Sequence, residues 1–164
     1  MKNCGLLVCL CLLIMAGTGK AFGQAPHTPN LQDFVGWWIG QGRLGFRDGQ
    51  SETIKCRATY RRAKASNGLR QTIRCATRSG TVEIVSTIRV SGRALKGTWK
   101  ERKYELSGEL EGNAVPGGFR VKVLGGELNA NMTVVLRGGK QVVEVQFLDG
   151  QLLGLTVLLT RGSA

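Results

Sequence analysis

The side chains best equipped for chemistry cluster between Thr53 and Cys75, where Thr-Ile-Lys-Cys returns as Thr-Ile-Arg-Cys and seven basic residues occur without an acid. Two chemistries follow from these types, a thiol pair and an array of guanidinium groups. If 53–62 and 68–78 form a hairpin around Ala65-Ser66, residues whose numbers sum to 131 stand opposite each other, so Cys56 faces Cys75. Directly opposed strand positions lie within the reach of a disulfide. A redox pair is the alternative, but thiols in apolar surroundings away from a helix terminus are poor nucleophiles.

The same register sets Arg57 against Arg74 and Arg61 against Arg70 on the outward face, with Lys55 and Arg78 flanking them. Like charges across a sheet destabilise it, by about 0.2–1 kcal/mol for a typical cross-strand pair. A chain that tolerates two such pairs has a use for them, and guanidinium forks match carboxylate and phosphate oxygens. Arg57, Arg61, Arg70 and Arg74 are therefore expected to bind an anionic partner, an envelope polyanion or a lipid phosphate. The competing account has them lying over neighbouring side chains and taking counterions from solvent. Nucleic acid is disfavoured, because no aromatic residues interleave with the outward arginines as base stacking requires.

Little else in the chain suggests a reaction. His27 is the sole histidine and precedes the first strand, so no Ser-His or Cys-His pair is available to the folded body. Glu101, Glu105, Glu109 and Glu111 alternate with lysines and polar residues in the manner of a solvated sheet face. No glycine-rich loop opens a helix to cradle phosphates, and no metal-ligand spacing is present. The expectation is a protein that is not an enzyme and uses no cofactor and no metal.

The elements that position these groups begin with residues 1–23, where Lys2, an apolar run from Leu6 to Ala16 and the small residues around Ala21-Phe22-Gly23 describe a secretory signal peptide. The apolar run is too short to span a bilayer, which takes roughly twenty residues. Cys4, Cys9 and Cys11 would leave with it, and two cysteines in an oxidising compartment favour one structural disulfide. Removal of the signal takes Lys2 and Lys20 from the 23 basic residues and none of the 11 acids, leaving a net charge of +10. Residues 24–100 hold 14 basic and 4 acidic side chains, against 7 of each in 101–164. The excess charge thus belongs to the first half, and a periplasmic or secreted protein is expected.

Residues 24–33 read as a flexible leader and 34–164 as one domain. Within it, apolar and polar residues alternate with period two, which predicts strands at 34–46, 51–62, 68–78, 81–91, 94–103, 105–112, 118–125, 127–137, 140–148 and 151–161. Asp48-Gly49, Asn67-Gly68, Gly138-Gly139 and Asp149-Gly150 supply the residues tight hairpins demand. Short links make sequential neighbours pair, so the chain is all-β, an antiparallel meander closed into an up-and-down barrel of eight to ten strands. A β-sandwich is the alternative.

Apolar parity points Phe34, Trp38, Leu44, Ile54, Cys56, Tyr60, Ile73, Cys75, Trp99, Leu106, Val143, Val145 and Leu153, among others, to the interior, and leaves Val135, Leu152 and Leu158 outside. The interior is either a packed core or a cavity for an apolar ligand with Trp38, Tyr60 and Trp99 in its lining. The outward apolar residues of the last strand suggest a dimer contact there.

Val-Gly-Trp-Trp-Ile-Gly-Gln-Gly in the first strand, followed by Gly-Thr-Trp at 97–99, resembles the opening Gly-x-Trp strand of calycin-type barrels such as lipocalins, avidins and nitrobindins. That resemblance implies an up-and-down barrel with an internal ligand site, although the haem-ligating histidine of nitrobindins has no counterpart here. The chain is also similar to small exported proteins of Gram-negative bacteria, which implies a periplasmic location.

Overall fold

A computed structural model of the chain describes residues 30–63, 68–126 and 128–163. The expected signal peptide, with its three cysteines, and His27 lie outside the described residues, as do Ala65 and Ser66 at the centre of the expected hairpin turn.

Ten antiparallel strands close into a barrel in which each strand pairs with its sequence neighbours and the last returns to the first. They are β1 (Gly36–Phe46), β2 (Ser51–Arg62), β3 (Gly68–Ala76), β4 (Thr81–Ser91), β5 (Ala94–Glu101), β6 (Ser107–Val115), β7 (Gly118–Leu124), β8 (Ala130–Arg137), β9 (Lys140–Phe147) and β10 (Leu152–Arg161). Closure removes the unpaired edges that an open sheet of this size would present. β10 spends both of its edges, on β1 and on β9.

Glycines turn two corners of the ring. At Gly42 in β1 an added methyl group would stand 2.7 Å from the Cα of Val157, and at Gly112 in β6 it would stand 2.7 Å from the Cα of Val121. The backbone of the neighbouring strand folds over each of these positions, which only a residue without a Cβ allows. β1 and β6 lie on opposite sides of the ten-strand ring.

The chain enters through a 3-10 helix, Leu31–Phe34, that plugs one end of the barrel. The Asn30 side chain caps it by accepting from the Gln32 N–H at 3.1 Å. Phe34 is buried, its ring 5.7 Å from that of Tyr60 and 5.6 Å from that of Phe119. Arg161 at the end of β10 fastens the plug, donating to the carbonyls of Val35 and Asp33 at 2.6 Å each while its guanidinium lies 4.4 Å from the Trp38 ring centroid. Residues 31–34, read from sequence as leader and strand start, are thus a helical turn whose Leu31 and Phe34 belong to the core.

Four further expectations need correction. Leu106 is not an inward strand residue: Glu105, at φ 54°, breaks the strand before β6, and Leu106 is 37 % exposed. Leu153 is 51 % exposed and Leu152 is half-buried, because a bulge shifts the register between Gly45 and Phe46 and pairs Phe46 with Leu152. Glu101 is not on a solvated face. Its parity with Leu95 and Trp99 turns it inward, where it is buried at the start of the loop after β5.

Candidate functional site

Strand direction gathers the loops after β1, β3, β5, β7 and β9 at one end of the barrel and leaves the plug at the other. The two halves of the interior differ. Toward the plug, Phe34, Trp38, Tyr60, Leu69, Ile88, Phe119 and Val134 are at most 2 % exposed. Toward the other end Ile54, Cys56, Cys75, Trp99 and Ala130 are buried too, whereas the inward Ile73, Val82, Ile84, Val123, Met132, Val145 and Leu155 pack against that core yet stay only half-buried, as Val90 and Leu136 do nearer the plug. In a closed barrel the exposed part of an inward side chain faces the lumen, so this half forms an apolar mouth.

Exposed large apolar residues also collect around this mouth. Tyr104 and Leu106 on the β5–β6 loop, Leu148 on the β9–β10 loop and Leu153 at the start of β10 are 63 %, 37 %, 50 % and 51 % exposed. Among the described residues the tight turns at the plug end carry none. Glu101 holds the β5–β6 loop in place: its carboxylate accepts from the Tyr104 N–H at 2.6 Å and from the Glu83 N–H at 3.3 Å. Burial pushes this carboxyl up, but the backbone N–H groups of Tyr104, Lys103, Glu83 and Arg102 outweigh it and hold the group below the usual carboxylate range.

Within the plugged half a buried polar chain crosses the barrel. The Ser86 hydroxyl donates to Gln71 Oε1 at 2.9 Å, Gln71 Nε2 donates to the Tyr60 hydroxyl at 3.1 Å, and Gln141 Nε2 donates to the same hydroxyl at 2.5 Å. These residues come from β4, β3, β2 and β9, so the chain spans opposite walls. Gln141 Oε1 has no partner. Burial pushes the Tyr60 hydroxyl pKa far above its ordinary value, and the two amide donors oppose that shift only in part. Sequence parity had placed position 141 inside with Val143 and Val145, but an apolar pattern passes over a glutamine.

Of the expected lumen residues, Trp38 and Trp99 are buried at 2 % and 4 % exposure, and both indoles are engaged. Trp38 donates to the Phe34 carbonyl at 2.9 Å and Trp99 to the Leu124 carbonyl at 3.2 Å. They brace the walls, while Tyr60 joins the polar floor.

The hairpin register is as expected, with Cys56 opposite Cys75, Arg57 opposite Arg74 and Arg61 opposite Arg70. The cysteines form a disulfide at a Cα separation of 4.1 Å. Outside it, Arg57, Thr59, Arg61, Arg70, Thr72 and Arg74 line a groove of about 260 Å³. The four arginines are not equivalent. Arg74 pairs with Glu83 at 2.6 Å, and Glu83 also holds Arg102 at 3.0 Å. Arg57 lies 5.3 Å from the Trp37 ring centroid. Arg61 and Arg70 have no ion-pair partner among the described residues. The Arg74 guanidinium holds the Glu83 carboxyl below its ordinary pKa.

A larger concavity of about 770 Å³ adjoins this groove and shares Arg57 and Arg74 with it. Its lining includes outward Ile39, Lys55 and Glu83 with Arg102 and Lys103 of the β5–β6 loop, so it lies on the outer wall and not in the lumen. Among the described residues no group of His, Cys, Asp and Glu is arranged to hold a metal ion.

No protein-family model and no curated protein matches this sequence. Among solved structures, the S-type phycobiliprotein lyase CPES from Guillardia theta superposes with a TM-score of 0.55 at 12 % identity, over 81 % of this chain and 90 % of that one. The calycin-type resemblance therefore holds at the level of the fold. The comparison also corrects the expectation of a non-enzyme. A barrel of this architecture that bears the name of a lyase removes the ground for excluding an enzyme from the lack of a histidine pair.

Proposed function

We propose that the protein is a carrier that holds an apolar small molecule in the open half of its barrel, in the periplasm or outside the cell. The supporting observation is the set of inward apolar side chains left half-exposed at the end away from the plug, Ile84, Met132, Val145 and Leu155 among them. An apolar lining above a few buried polar groups is the usual composition of a small-molecule site. The disulfide and the leader sequence accord with an exported protein. Titration with the neutral fluorophore N-phenyl-1-naphthylamine tests this reading. Saturable one-to-one binding is expected, competed by long-chain alcohols, and its absence would remove the proposal.

The groove between β2 and β3 favours a second activity on the outer wall, the binding of an envelope polyanion. Four guanidinium groups and two threonine hydroxyls converge there, and Arg61 and Arg70 face each other without a carboxylate. Heparin retention should fall when Arg61 and Arg70 are both changed to Ser. Unchanged retention would leave the array as a solvated surface.

A further inference from the structure

We infer that the mouth of the barrel docks on an anionic lipid surface and exchanges its apolar cargo with the bilayer, an inference that rests on the carrier reading. Two properties meet at this end. The first is exposed Tyr104 and Leu106 on the β5–β6 loop with Leu148 and Leu153 at the β9–β10 loop, four of the six exposed large apolar side chains among the described residues. The other two, Ile39 and Leu158, lie on the outer wall of β1 and β10, and a concentration of this kind marks a surface that meets an apolar phase. The second is charge. The loop that projects Tyr104 and Leu106 reads Arg102-Lys103-Tyr104-Glu105-Leu106, and Lys103 lies 5.1 Å from the Tyr104 ring centroid.

An aromatic and a leucine just after two basic residues suit the boundary between acyl chains and headgroups. There the ring sits at headgroup level and the cations extend toward lipid phosphates. Lys55 and Arg57 continue the positive charge up the adjoining wall, where Arg74 shares Glu83 with Arg102. The carboxylates of this rim are dispersed. Asp48 accepts from the Gln50 N–H within its turn, Asp149 from the Asn129 amide of the β7–β8 loop and Glu52 from the Ser79 hydroxyl, and Glu105 stands in the basic loop. The apolar, half-exposed lining lies directly behind the rim, so docking would bring it against the hydrocarbon.

Cosedimentation with vesicles tests the inference, using phosphatidylglycerol mixed with phosphatidylcholine against phosphatidylcholine alone. Binding to the anionic vesicles, weakened by salt, is expected. Changing Tyr104, Leu148 and Leu153 together to Glu should weaken it by at least about tenfold. Changing Arg102 and Lys103 to Ser should weaken it roughly thirtyfold, from about 1 kcal/mol per basic residue at the surface. Arg61→Ser with Arg70→Ser should leave it nearly intact. Arg70 sits six residues along β3 from Ala76 at the mouth, about 20 Å along a strand and beyond a Debye length of roughly 8–10 Å.

The altered side chains are exposed, and unchanged circular dichroism confirms that the variants fold. Equal binding by the rim variant overturns the inference. So does binding lost only in the Arg61/Arg70 variant, or a dimer that the rim variant dissociates without any vesicle binding. Fluorophore binding in solution is independent of these outcomes, so failure to dock and failure to carry are distinguishable.

Discussion

Tyr60 on β2 and Gln141 on β9 meet across the lumen, the tyrosine hydroxyl accepting from the glutamine amide at 2.5 Å and from Gln71 at 3.1 Å. This contact ties β2 to β9, three strands apart in the ring, within the plugged end of the barrel. Tyr60→Phe would leave two buried amide donors without their acceptor, and a buried unsatisfied group costs about 1–3 kcal/mol. Urea denaturation should show a loss in that range. Adding Gln141→Leu should recover part of it, because the orphaned donor and the unpartnered Oε1 leave together. Fully additive losses would mean that the two residues do not interact.

The same hydroxyl sets a limit at high pH. Its pKa is raised in the folded state, so the folded protein holds this proton more tightly than the unfolded chain does. The stability so contributed is fully present below the unfolded tyrosine value of about 10 and is lost as pH climbs above it. Stability should fall through that alkaline range, and Tyr60→Phe should flatten the fall. An equally steep decline in the variant would assign it to other groups.

Reduction of the Cys56–Cys75 disulfide releases a loop with a sequence separation of 19. In the chain-entropy model such a loop is worth about 3 kcal/mol. The Cys56→Ser, Cys75→Ser protein should remain a barrel with a lower Tm, measured by calorimetry. An unchanged Tm would show that the bridge constrains little.

Gly112→Ala tests the β6 corner. The added methyl meets the backbone of β7, which cannot move without breaking its own ladder. A loss of about 1–3 kcal/mol is expected, as for overpacking elsewhere. A silent substitution would show that the corner is not sterically set.

The barrel was legible because a period of two survives in nearly every segment and because turns such as Asp149-Gly150 announce themselves. The hairpin register followed from one assumption about the β2–β3 turn, and it placed both the disulfide and the arginine pairs. What escaped was set by tertiary context. Leu31–Phe34 is too short to show a helical period, and Phe34 fitted a strand alternation equally well. Glu101 has inward parity, but its charge argued for solvent, and only folding shows the four backbone N–H groups that satisfy it. Gln141 was passed over for the same reason. The mouth was invisible because identical apolar letters line a packed core and an open one. Leu106 and Leu153 were assigned to the interior by pattern, where a broken strand and a bulge in fact turn them to the rim.

The carrier account is tested most directly by filling the mouth. Val145 is inward, half-buried and clear of the polar floor, so Val145→Trp should occupy the open half without disturbing the plugged end. The account predicts that the native protein binds N-phenyl-1-naphthylamine at one site and that Val145→Trp loses this binding while keeping the circular dichroism of the native barrel. Undiminished binding by the folded variant would contradict it.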